Sequence, residues 1–464
     1  MITLPLCTNK TPLYRQIYEW LKAEIQSKNY KPYDRIPSKR KLSEHLCVSI
    51  NTIDTAYSQL IDEGYIIAVP KKGYFVCDID VYHRINVTQQ ENTLNISMSN
   101  LKIDFSPSDI DHQAFPYKTW RNIFKSCFNE FDHSILKRTM AQGDVNLRRE
   151  LVAFLHSSRG VNCDERQIVI GAGTESSLRT LSLVLSNNTS IALENPVYRK
   201  AYKTFEHMGH TILPIPIDDR GIEIEPLKNL SNVAVYVTPS HQFPLGISMP
   251  IGRRVELLNF ANEADGRFII EDDYDSEFRY IRKPLPSLQS IDQNGKVIYV
   301  GTFSTSIAPS IRISYMVLPL TLLKSYTRIC SEFGSEVSIL EQRIVAKFIA
   351  EGNYEKHLNK MRKLYKDKRG HLIRELSIFG DDIKIVGESA GSHLLIKSVI
   401  SKSENDMCKA AAEKGVKVYP ISDYFIGKML EKYENTFLLG YGALSKIEIS
   451  EGVKLLYDAW NCGN

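Results

Sequence analysis

A polar stretch from Asn86 to Asn100, rich in Asn, Gln, Thr and Ser, divides the chain into two segments with different hydrophobic periodicities. It carries too few apolar side chains to pack, so it reads as an exposed linker between separately folded parts. Before it, Tyr14, Ile17, Tyr18, Leu21 and Ile25 recur at helical spacing, and two strand-like runs, Tyr65–Val69 and Lys72–Val76, follow. After it, from about Ile103, apolar runs alternate with helical patterns, at Gln167–Ile170, Ser190–Leu193, Ala234–Val237, Arg267–Glu271 and Val297–Gly301. Such alternation predicts βα units around a mostly parallel sheet. Beyond Asp381, candidate strands at Ile383–Val386, His393–Ile396 and Phe437–Gly440 predict a smaller α+β portion. The expected organisation is a module over 1–80, a linker over 81–102 and a large domain over 103–464, with its small part at about 381–464.

Composition removes several classes. The chain has 464 residues, 43% hydrophobic and 24% charged, the balance of a globular protein with room for more than one core. Fifty-eight Lys and Arg against 54 Asp and Glu leave a net charge of +4, too little to imply nucleic acid or an anionic membrane by itself. No apolar run approaches the roughly 18 residues of a membrane span. The first residues, broken by Pro5, do not form a signal-peptide core. The eight cysteines lack Cys-x-x-Cys spacing and any Cys/His cluster, so neither a disulfide scaffold nor a zinc finger is expected, and no metal site. Reduced thiols in a cytoplasmic protein are the expectation.

Charge is local, however. Between Lys28 and Lys41 lie Lys31, Arg35, Lys39 and Arg40, with Asp34 the one acid among them. Ser38 is placed to cap a short helix with Leu42 and Leu46 on one face, and Cys47-Val48 makes a tight connection. Ser49 then caps a second helix in which Ile53, Ala56, Tyr57 and Leu60 face inward and Ile50, Asn51, Asp54 and Thr55 face out. This is a helix-turn-helix layout, in which the start of the second helix meets base edges. The hairpin that follows sets Lys71, Lys72 and Gly73 at its tip, where a wing can oppose phosphates. The competing reading is a solvated helical hairpin whose charges serve solubility.

Four stretches of the large segment carry candidate chemistry. Gly171-Ala-Gly-Thr-Glu-Ser-Ser177 follows a strand and opens a helix, an arrangement that presents N–H groups to a phosphate, although a plain strand-to-helix turn needs the same glycines. Ile269 to Phe278 puts an acidic cluster at the carboxyl end of a strand, where ligands gather in open α/β sheets. It fits a metal site, a buried carboxylate facing a protonated heterocycle, or a solvated loop. Tyr299 to Tyr315 gives a strand, a hydroxyl-rich turn and Arg312, a set suited to phosphate. Thr238 to Gly246 is a Pro/Gly-punctuated loop after a strand.

The strings Pro37-Ser-x-Arg-x-Leu42, Val48-Ser-x-x-Thr-Ile53, Ala56-Tyr-x-x-Leu-x-x-Glu-Gly64 and Gly73-Tyr-Phe-Val76 together resemble the GntR-type winged helix-turn-helix. The four stretches of the large segment, in this order, resemble the fold-type I aminotransferase domain of pyridoxal phosphate (PLP) enzymes. The whole chain thus resembles the MocR/GabR family of transcriptional regulators. The resemblance implies a double-stranded DNA operator, contacted by Ser38, Lys39, Arg40, Ser49, Asn51, Thr52, Lys71, Lys72 and Gly73, and a head-to-tail homodimer. Ile50 departs from the Arg common in relatives, which would alter the base sequence read. For the cofactor it implies Gly173, Thr174, Ser304 and Arg312 at the phosphate, Tyr198 on the ring, Asp272 at the pyridinium N–H and Tyr274 at the ring hydroxyl.

One position departs decisively. Where the family carries the lysine that forms the Schiff base, this chain has Thr305. A hydroxyl forms no imine and is a poor proton shuttle, so no catalytic residue for transamination is expected. Where relatives place arginines that receive an effector carboxylate, the chain has Ala443, in Gly440-Tyr-Gly-Ala443, and Lys200. The expectation is a cytoplasmic DNA-binding regulator with a catalytically inactive sensor domain. It would hold PLP, or a PLP adduct of a small amine or amino-acid effector, without a covalent bond. The alternatives are a regulator whose large domain is a dimerisation platform without PLP and, less favoured, an active aminotransferase.

Overall fold

The computed structural model describes residues 11–78, 101–128, 133–186, 188–280, 286–386 and 391–461. The chain divides into two compact units, Met1–Ser97 and Met98–Asn464. The expected linker lies outside the described residues except at 101–102.

The first unit runs α1 (Leu13–Gln26), β1 (Arg35–Ile36), α2 (Lys39–Leu46), α3 (Ile50–Asp62), β2 (Ile66–Val69) and β3 (Gly73–Val76). Ser38 and Ser49 cap α2 and α3 by accepting from the Lys41 and Thr52 amides, so each serine satisfies an N–H that has no partner inside its helix. Cys47 closes α2 in the left-handed conformation, with φ of 53°, and turns the chain into α3. Ile17, Leu21, Leu42, Ile53, Ala56, Tyr57 and Leu60 form the core, as the helical spacing predicts. The strands join antiparallel in the order β1-β3-β2, which gives one wing.

The second unit opens with β4 (Ile103–Asp104), α4 (Tyr117–Cys127) and α5 (Val145–Arg159). Its main sheet is built from β5 (Ile168–Gly171), β6 (Ser190–Asn195), β7 (Ile212–Asp218), β8 (Gly221–Ile222), β9 (Val233–Val237), β10 (Arg267–Asp273), β11 (Val297–Thr302) and β12 (Ser314–Val317). Helices α6 (Thr174–Val184), α7 (Arg199–His207) and α8 (Ile251–Asn262) connect them, and α9 (Leu320–Cys330), α10 (Ile339–Ala350) and α11 (Asn353–Leu376) follow. The strand order is β5-β12-β11-β10-β9-β6-β7-β8. The centre, from β11 to β7, is parallel, while β12 and β8 run antiparallel to their neighbours. Because side chains alternate along a strand, Ile269 joins the cluster under α8 while Ile270 joins the one under α6 and α9. The small part has an antiparallel sheet of β13 (Ile383–Val386), β14 (His393–Ser398), β17 (Thr436–Gly440) and β16 (Tyr419–Pro420). Helices α12 (Glu404–Glu413) and α13 (Lys446–Asn461) cover it, and β15 (Val416–Lys417) pairs with β4.

One buried ion pair ties helix to sheet. Arg159, the last residue of α5, donates to Asp273 at 2.7 Å, and their side chains are 5% and 0% exposed. The Tyr299 and Ser276 hydroxyls complete the carboxylate's shell. Burial opposes ionisation of Asp273, but the Arg159 charge outweighs it and holds the carboxyl below its ordinary value. Arg159→Met should therefore cost about 3–5 kcal/mol, because it strands a buried charge. Adding Asp273→Leu should recover most of that loss. Urea denaturation followed through Trp120 and Trp460 would measure both; a single variant as stable as the parent would refute the role given to the pair.

Candidate functional site

The carboxyl ends of β6, β9, β10 and β11 and the start of α6 surround a cavity of about 140 Å³. Six of the seven residues expected at a cofactor line it: Thr174, Tyr198, Asp272, Tyr274, Ser304 and Arg312. The seventh, Gly173, stands just behind. Its φ of +90° favours glycine, and a Cβ there would lie 2.5 Å from the Arg312 guanidinium, which would have to move. Thr305 lines the same cavity, and its hydroxyl donates to the Tyr274 carbonyl at 2.5 Å. Ala443 is not among the lining residues.

Asp272 is 3% exposed. Its Oδ2 accepts from the Tyr236 hydroxyl at 2.5 Å, while Oδ1 is buried with no hydrogen-bond partner. Burial, only partly offset by Tyr236, raises its carboxyl to about 7. An unsatisfied carboxylate oxygen at the wall of a cavity fits a cationic N–H entering from the cavity side. Ser304 Oγ is likewise buried and unpartnered. Aromatic rings frame the space between, with Phe243 edge-on to Tyr198 at 5.7 Å and to Tyr274 at 5.8 Å. These features fit a pyridoxal ring and its phosphate. The acidic stretch is thus no solvated loop: β10 runs two residues beyond the expected Glu271 and buries Glu271, Asp272 and Asp273. Among the described residues no group of three or more His, Cys, Asp or Glu is arranged to hold a metal ion.

Two features escaped the sequence reading. His241, buried, lies 2.7 Å from Asp275 and 3.1 Å from the Tyr274 hydroxyl, so it braces the phenol from behind. Glu175, the second residue of α6, reaches Arg312 at 2.8 Å and Lys200 at 3.0 Å. Although burial opposes it, these two cations and its own backbone amide lower the Glu175 carboxyl to about 2. Lys200 is therefore engaged in an ion pair within its own unit.

In the first unit, Arg40, Ser49, Ile50, Asn51, Lys71 and Lys72 are exposed, and Lys71 sits in the left-handed region at the wing tip with φ of 62°. Thr52 is half-buried, its hydroxyl 2.8 Å from Ser49 Oγ. Lys39, expected at a phosphate, instead pairs with Asp54 of α3 and lies over the Tyr74 ring at 5.2 Å. It braces α2 against α3 and the wing, so its charge is already partnered.

The family model for bacterial regulatory proteins of the gntR family matches residues 13–76, and that for aminotransferase class I and II matches 103–428. The chain is 40% identical to the HTH-type transcriptional regulator YdeL of Bacillus subtilis, over 97% of each chain. It is 30% identical to the "probable rhizopine catabolism regulatory protein MocR" of Rhizobium meliloti, over 97% of this chain and 94% of that one. The kynurenine aminotransferase of Pyrococcus horikoshii superposes with a TM-score of 0.68 at 26% identity, covering 78% of this chain and 91% of that one. With a winged helix-turn-helix ahead of an aminotransferase domain and relatives of the same full-length layout, the chain belongs to the MocR family of HTH-type transcriptional regulators.

Proposed function

We propose that this regulator reads DNA through α3 and the wing, and that its aminotransferase-like unit senses a ligand and catalyses no transamination. Thr305 carries the reading. It lies in the cavity beside Asp272 and Tyr274, at the position where the family resemblance puts the Schiff-base lysine, and its hydroxyl is committed to a backbone carbonyl. Lys200, the lysine among the described cavity-lining residues, is held by Glu175. Neither residue supplies a free amine to the ring.

Pyridoxal phosphate, when bound, supplies an electron sink for amines. The residues that would hold it are Asp272 Oδ1 for the ring nitrogen, Tyr198 for the ring face and Tyr274 for the ring hydroxyl. Gly173, Thr174, Ser304 and Arg312 would hold the phosphate. Without a covalent anchor the ligand enters and leaves whole, so cofactor and a small amine or amino acid together form the signal. A cytoplasmic, head-to-tail homodimer on a double-stranded DNA operator is the working assembly.

Borohydride should leave no PLP on the parent protein but should fix it to Thr305→Lys, read as an added mass on the peptide containing residue 305. A Thr305→Lys protein that retains no reducible PLP would show that the cavity does not take the cofactor.

Asp272 gives a pH test. Its folded value, about 7, lies above that of an unfolded aspartate, so the folded state holds the extra proton between about pH 4 and 7. Its stability contribution is thus full below about pH 4 and lost as pH rises through 7. Asp272→Asn keeps an acceptor for Tyr236 and removes this loss. In the absence of ligand it should match the parent near pH 4 and exceed it by roughly 2–4 kcal/mol at pH 8. Equal stability at pH 8 in denaturant titrations would exclude an uncompensated carboxylate.

On DNA, Arg40→Ala or Lys71→Ala should weaken every sequence about equally and lower the salt slope by about one. Asn51→Ala should change which sequence is preferred. Unchanged affinity and slope for Arg40→Ala would reject this docking face.

A further inference from the structure

The anion donors of the cavity already hold an anion. Glu175 stands on the first turn of α6, whose free amides favour negative charge, and its two oxygens take Arg312 and Lys200. Its side chain is 21% exposed, while those of Lys200 and Arg312 are 62% and 50% exposed. The carboxylate is therefore better buried than the two cations it holds, and all three line the cavity. Further in, Ser304 Oγ and Asp272 Oδ1 remain without partners, so the cavity is furnished for a ligand that the Glu175 carboxylate does not itself satisfy.

We propose that Glu175 is an internal competitor for the phosphate end of the cavity, which a phosphorylated ligand must displace from Arg312 and Lys200. The carboxylate sets the ligand concentration at which the site fills, and it discriminates among ligands by the charge of their far end. A dianionic phosphate outbids one carboxylate for two cations; a neutral hydroxymethyl group does not. Displacement frees Lys200 on α7 from its partner on α6, so filling the cavity also breaks a link between these two helices. The identity of the ring-bearing ligand rests on the function proposed above; the competition at the anion end does not.

The test uses the full-length chain and three probes that form no imine with lysines: inorganic phosphate, pyridoxine 5'-phosphate and pyridoxine. Titration calorimetry compares the parent with Glu175→Gln, which keeps size and loses charge. Glu175→Gln should bind inorganic phosphate and pyridoxine 5'-phosphate about five- to tenfold more tightly, with pyridoxine unchanged within about twofold. Glu175→Asp, too short to reach both cations together, should gain about threefold and decides the matter if the glutamine variant does not fold. Equal or weaker phosphate binding by the folded variants would overturn the proposal and leave Glu175 as a positioning residue for Arg312. Tighter phosphate binding with pyridoxine 5'-phosphate no better than phosphate would uphold the competition and dismiss the cofactor reading.

Discussion

The strict alternation of side chains along β10 forces two adjacent carboxylates, Asp272 and Asp273, to opposite faces of a buried sheet, and the large unit is arranged around the result. Both carboxylates are buried, so each charge needs a partner or loses its ionisation. On one face Asp273 is answered by Arg159 from α5, with Tyr299 and Ser276 filling its remaining valences. Glu271, on that same face, accepts from the Leu288 and Gln289 amides and fastens the following loop to the strand. On the other face Asp272 receives one hydroxyl and nothing more. Structure is secured on one side of the strand, and binding capacity is left on the other.

Where elements were legible, each carried its own period. Helical spacing gave α1 to α3 and their core, and apolar runs gave the central strands to within a few residues. The end of β10 was less legible: three consecutive acids look like a loop until their partners, 114 positions away in the case of Arg159, are in place. Lys39 shows the same limit. A lysine in a basic run reads as a phosphate contact, and only the approach of α3 reveals Asp54 beside it. Glu175 left no local signal at all, since its partners come from β12's approach and from α7. A charge at the start of a helix is as ordinary on a surface as in a cavity. Thr305 was different again: its residue type is unremarkable, and only the resemblance to a family that has lysine there gives it meaning.

Among the described residues five charged side chains line the cavity: Glu175, Asp272, Asp275, Lys200 and Arg312. Glu175 takes both cations, and Asp275 has His241. What remains is Asp272, whose burial holds it near neutrality until a positive group arrives. Thr305, in the same cavity, adds no charge beside Asp272. The cavity therefore favours a ligand that is cationic at its ring end and strongly anionic at the other, because such a ligand satisfies Asp272 and supplants Glu175 in one event. A ligand with only one of these charges leaves either an unpaired carboxylate oxygen or an undisturbed ion pair. Selectivity in this chain then follows from two carboxylates of one cavity, one waiting for a partner and one already holding two.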